Sequence, residues 1–74
     1  MEFTIEPFNE GRPGRHVTAP VDTLRAMDLD VEVGPFGSSC AVPDDRVGDV
    51  VAAVVRIALE HGATHVNVDV AATG

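Results

Sequence analysis

The stretch "DDRVGDVVAAVVRIALEHG" (Asp44–Gly62) decides the fold. It is loaded with valine, a residue that favours strands. Its pattern points elsewhere. On a helical wheel Val47, Val50, Val51, Val54, Ile57 and Ala58 share one arc, with Asp49, Arg56 and Glu60 opposite. A strand would send Val50 and Val51 to opposite faces. The spacing therefore predicts a helix, capped by Asp44 or Asp45 and closed by Gly62 in the left-handed conformation. Gly48 costs that helix about 1 kcal/mol relative to alanine, so either it lies close to a sheet there or its first turn is weak.

The flanking segments read as strands. Upstream, "LDVEV" alternates, with Leu29, Val31 and Val33 inward and Asp30 and Glu32 outward. The turn Gly34-Pro35-Phe36-Gly37 joins it to "SSCAV", where Cys40 and Val42 face inward and Ser39 and Ala41 outward. Downstream, "THVNVDV" places Val66, Val68 and Val70 inward and His65, Asn67 and Asp69 outward, before the end "AATG", expected to fray. At the start, "EFTIEPF" places Phe3 and Ile5 on one face and Glu2, Thr4 and Glu6 on the other, and Pro7 ends it. After the loop "NEGRPGRH", Val17, Pro20, Val21, Leu24 and Met27 recur at helical spacing. Proline is tolerated in a first turn, which predicts a helix from a Thr18 cap to about Asp28.

The order strand, helix, strand, strand, helix, strand is the ferredoxin-like βαββαβ plan of the α+β class, one domain over residues 1–74. Right-handed crossovers put the first and third strands in the middle of a four-stranded antiparallel sheet, with both helices on one face. The other face is left to Thr4, Glu6, Glu32, Ser39, Ala41, Asn67 and Asp69: open, polar and acidic.

Composition narrows the function. The net charge of −7 repels phosphate backbones, so no nucleic acid is expected as a partner. No basic segment leads into a long apolar run, so neither a signal peptide nor a membrane partner is expected. A single cysteine, Cys40, allows no internal disulfide and fits a buried thiol in the reducing cytoplasm. Seventy-four residues bury only about 60–65% of the unfolded surface, and self-association is a common remedy.

No catalytic grouping emerges, and the chain reads as a non-enzyme. His16, His61 and His65 lack metal-ligand spacing, so no metal is expected; His61 suits the negative end of a helix. Arg12, Arg15 and His16 precede a helix and could hold an anion there, or form a solvated loop beside Glu10. An acylphosphatase-type enzyme would use Arg12 or Arg15 with an asparagine on a central strand, whereas Asn67 falls on another strand. Glu6, on a central strand of the open face, has Thr4, Ser39 and Asn67 as candidate neighbours; carboxylate, hydroxyl and amide together match a polar heterocycle.

Three segments resemble the YkoF-like thiamine-binding family. That family has a first strand E-F-T-I-x-P, a segment G-L-x-x-E-x-x-P-[MF]-G-T and a closing G-A-x-R-V. Here they read Glu2-Phe3-Thr4-Ile5-Glu6-Pro7, Leu29 through Ser38, and Gly62-Ala63-Thr64-His65-Val66. The resemblance implies a ferredoxin-like subunit of a homodimer or homotetramer that binds thiamine or a related pyrimidine without turnover and needs no cofactor. On that expectation the ligand residues are Thr4, Glu6, Phe36, Gly37, Ser38, Ser39 and Asn67, with Phe36 covering the pyrimidine or packing on a neighbouring subunit. Ser38 keeps the hydroxyl of the family threonine. Ala41, Val42 and Pro43 replace its acidic residue and glycine, and His65 replaces a common arginine. The competing expectation is an interaction or regulatory module whose sheet pairs with another protein or itself.

Overall fold

The computed structural model describes residues 1–8 and 13–72. Its elements are β1 (Glu2–Glu6), α1 (Arg15–Ala26), β2 (Val31–Gly34), β3 (Gly37–Cys40), a short 3₁₀ turn (Asp44–Arg46), α2 (Val47–Glu60) and β4 (His65–Asp69). All strand pairs are antiparallel, in the order β2-β3-β1-β4. This is the ferredoxin-like arrangement, with β1 and β3 central. The valine-rich stretch is a helix, as its period demands.

The core lies between the helices and one face of the sheet. Phe3, Ile5, Leu29, Val31 and Cys40 meet Val21, Leu24, Val50, Val54 and Ala58. Leu24, Val50, Val54 and Ala58 have no exposed surface. Val66 and Val68 are half-buried against this cluster, because β4 is an edge strand. Val33 is 53% exposed and Val70 48%, contrary to the inward reading of both. Val33 lies near the end of the edge strand β2, and Val70 lies just past the end of β4, outside the strand.

α1 begins a turn earlier than its proline suggests. Gly14, in extended conformation, is the N-cap in place of Thr18, and Pro20 lies inside the helix. Proline there forfeits a hydrogen bond. What holds the added turn is His16, 6% exposed, whose Nε2 lies 2.6 Å from Pro7 O and ties the helix to the end of β1. At the far end Asp28 adopts φ 64°, and Leu29 N donates to Leu24 O while Asp28 N donates to Arg25 O, a Schellman closure. α2 closes the same way, with Gly62 at φ 94°, as the sequence suggests.

Neither Asp44 nor Asp45 caps α2; the 3₁₀ turn leads straight into it, and Arg46 Nη2 instead donates to Met27 O at 2.9 Å, near the end of α1. The buried arc of α2 is Val50, Ala53, Val54 and Ala58, with Val47, Val51 and Ile57 half-buried. Packing against α1 as well as the sheet rotates the arc to include Ala53. A Cβ at Gly48 would meet nothing within 4 Å, so close approach to the sheet is not why glycine stands there. Ala71 and Ala72 are exposed and outside any strand, while Thr73 and Gly74 lie outside the described residues.

Candidate functional site

The face away from the helices carries a row of side chains set by register. Glu32 of β2 pairs with Ser39 of β3, Ser39 with Glu2 of β1, and Glu2 with Asp69 of β4. Residues opposite one another across strands share a face. One line therefore crosses all four strands and holds three carboxylates and a hydroxyl. Strand spacing makes it roughly 15 Å long. Beside it, Thr4 pairs with Asn67.

These groups floor a shallow hollow of about 590 Å³, lined by Glu2, Thr4, Glu32, Ser39, Asn67 and Asp69, with Gly37 and Phe36 at the hairpin end. Gly37 permits the floor: a Cβ there would lie 3.0 Å from Thr4 Cγ2 and 3.1 Å from Phe3 O. The hairpin turn is only Pro35-Phe36, with Gly34 paired to Gly37. Proline presets the first central position, leaving the next to Phe36. Phe36 is 83% exposed, so it does not fold back onto α1. Its ring stands at the rim of the acidic hollow.

Thr4, Phe36, Gly37, Ser39 and Asn67 thus line one hollow. Glu6 does not join them, and Ser38 does so only from the core-facing side of β3. Ser39 pairs with Glu2, so Glu6 lies roughly 13 Å along β1 from it, outside the hollow. Glu6 faces His65 instead, with Oε2 3.4 Å from Nδ1, both side chains largely exposed. Ser38 contributes to the hollow's wall, but it is 6% exposed and shares the strand parity of the core residue Cys40. It reaches a second, apolar cleft of about 260 Å³ on the helix side, beside Phe8, Pro13, Val17 and Val33.

Glu2, Glu32 and Asp69 are the residues that sequence reasoning left out of the site. Alternation puts each on the open face, but only the β2–β3, β1–β3 and β1–β4 registers bring them into one row. A row of carboxylates concentrates negative potential where the wall is partly apolar, and so favours a cation. A cationic ring with amino donors would find the carboxylates, Thr4, Ser39 and Asn67 to bond and Phe36 to lie against. Among the described residues, no three His, Cys, Asp or Glu side chains converge as metal ligands would.

The candidate anion site fares differently. Arg12 lies outside the described residues, His16 is buried with its Nε2 on Pro7 O, and Arg15 is exposed. His61 is the exposed C-cap residue of α2. Cys40 is a free thiol, 5% exposed, and burial raises its pKa, partly opposed by the positive N-terminus of Met1 and helped by the negative charge of Asp30.

Comparison with known proteins finds no matching family model, curated protein or solved structure. Among the described residues no helix is long and apolar enough to cross a membrane.

Proposed function

We propose that this protein binds, without chemical turnover, a small cationic nitrogen heterocycle on the open face of its sheet. Thiamine or its aminopyrimidine portion is the ligand of choice. The single observation that carries the reading is the line Glu32, Ser39, Glu2 and Asp69 across the floor of a hollow rimmed by Phe36. Three carboxylates attract a thiazolium or protonated aminopyrimidine through the summed field, with no need for one ideal ion pair. Thr4, Ser39 and Asn67 offer the hydroxyl and amide partners that fix ring orientation, and Phe36 supplies an apolar wall. The resemblance of Glu2–Pro7, Leu29–Ser38 and Gly62–Val66 to the YkoF-like family supports the same choice; assembly into a homodimer or homotetramer in the cytoplasm is part of the proposal.

A thermal-shift screen of thiamine, its phosphate esters and free aminomethylpyrimidine tests the reading, because a ligand that binds the folded state raises the midpoint by mass action. A saturable rise with the cationic members supports it. No rise at millimolar ligand excludes it.

The exposure of Phe36 favours one second reading. An aromatic left 83% open at a hairpin tip also suits a protein interface, which would make the chain an interaction module with no small-molecule ligand. Phe36→Ala separates the two: it weakens ligand binding under the first reading and only partner binding under the second.

A further inference from the structure

The two edges of the sheet are not alike. Cys40 exchanges both main-chain hydrogen bonds with Met1, at 2.8 and 2.9 Å. Antiparallel alternation then turns the peptide groups of Val31, opposite Cys40, away from the sheet. Arg25 Nη2 donates to Val31 O at 3.1 Å, so a charged side chain lies across the β2 edge and guards it against pairing.

The same alternation carries to the other edge. With Met1 and Cys40 bonded, Phe3 bonds Ser38, and Glu2, Thr4 and Glu6 turn toward Asp69, Asn67 and His65. Val66 and Val68 are left pointing their N–H and C=O groups outward. Among the described residues, no side chain donates a hydrogen bond to either.

We propose that β4 pairs antiparallel with β4 of a second copy of this chain, about a twofold axis at Asn67. That register makes Val66 and the partner's Val68 a hydrogen-bonded pair, and places Asn67 against the partner's Asn67. On the open face it sets the imidazole of His65 beside the carboxylate of the partner's Asp69, twice over by symmetry. Registers centred on Val66 or Val68 put no acid against a base. The imidazole–carboxylate contact thus selects one alignment.

The helix side asks for the same partner. Val66 and Val68 are half-buried, and Val70 is 48% exposed. Above them α2 packs on β4 and carries Val51, Val55 and Leu59 at four-residue spacing, none of them in the core cluster, with Leu59 53% exposed. A copy joined at β4 lays its own α2 beside this strip and covers it. Asn67 and Asp69 line the acidic hollow, so the joined edge also brings the partner's His65 and Asn67 to its margin. The inference rests on the edge alone and needs no ligand.

Sedimentation equilibrium of the unliganded protein tests it. The expected result is a dimer. His65→Asp sets acid against acid at both ends and weakens dimerisation about tenfold, and the swap His65→Asp/Asp69→His restores it. Both positions are exposed, so circular dichroism should show an unchanged fold; Glu6, beside His65, is common to all variants. As a second measurement, Asn67→Cys faces its own copy with Cα atoms about 4.5 Å apart, within disulfide range, and mild oxidation gives a covalent dimer. A monomeric wild type, an undiminished His65→Asp dimer, a swap that restores nothing, or an Asn67→Cys variant that does not cross-link overturns the proposal. None of these outcomes bears on whether the hollow takes thiamine.

Discussion

Gly37 lies with its bare Cα against Thr4: a methyl added at Gly37 would sit 3.0 Å from Thr4 Cγ2 and 3.1 Å from Phe3 O. The carbonyl belongs to a central strand and cannot give way. Gly37→Ala is expected to destabilise the protein by about 1–3 kcal/mol and to raise the floor of the acidic hollow. Urea denaturation reads the first effect. Ligand-induced shift of the remaining folded protein reads the second.

Gly48 presents the opposite case. A methyl there meets no atom within 4 Å, and the residue is exposed in the first turn of α2. Gly48→Ala should stabilise the fold by roughly 0.5–1 kcal/mol through helix propensity and a less flexible unfolded chain. Gly62→Ala, at φ 94°, should lower stability instead. Thermal unfolding of the two variants side by side checks both signs.

Cys40 makes stability depend on alkaline pH. Burial raises its folded pKa above the ordinary 9.0, against a smaller lowering by the N-terminal ammonium and with a further rise from Asp30. The unfolded thiol therefore ionises first. The contribution is fully present below the unfolded pKa and is lost as pH climbs through the folded one. Denaturation midpoints should fall above pH 9, and the fall should be shallower in Cys40→Ala. In the folded protein below that range, Cys40 should react slowly with thiol reagents.

Phe36 is predicted to matter for binding and not for folding. Its side chain is 83% exposed, so Phe36→Ala should change stability by less than about 0.5 kcal/mol. The same change should weaken thiamine binding several-fold, because it removes the apolar wall at the rim. Paired thermal and titration measurements separate the two effects.

Most of the fold was legible because period outranks propensity. Val50 and Val51 adjoin, which no half-buried strand accommodates, and that alone turned a valine-rich segment into α2. Helix ends were less legible. Thr18 looked like a cap because Pro20 looked like a first-turn residue; the bond from His16 to Pro7 O, nine positions apart in the chain, holds the extra turn that local rules forbid. Val33 and Val70 show the limits of alternation, which tells neither whether a helix reaches far enough to cover a residue such as Val33 nor that β4 stops before Val70. The candidate site followed the same division. Parity put Thr4, Ser39 and Asn67 on the open face. Which carboxylate stands beside Ser39 depended on the β1–β3 register, and that substituted Glu2 for Glu6.

Calorimetric titration of thiamine into the wild-type protein and into Glu2→Gln/Glu32→Gln is the most direct trial of the acidic floor. Saturable heat in the wild type, weakened at least tenfold in the variant and diminished by added salt, is the expected outcome. Equal binding by both proteins would contradict the account, and so would the absence of heat from either.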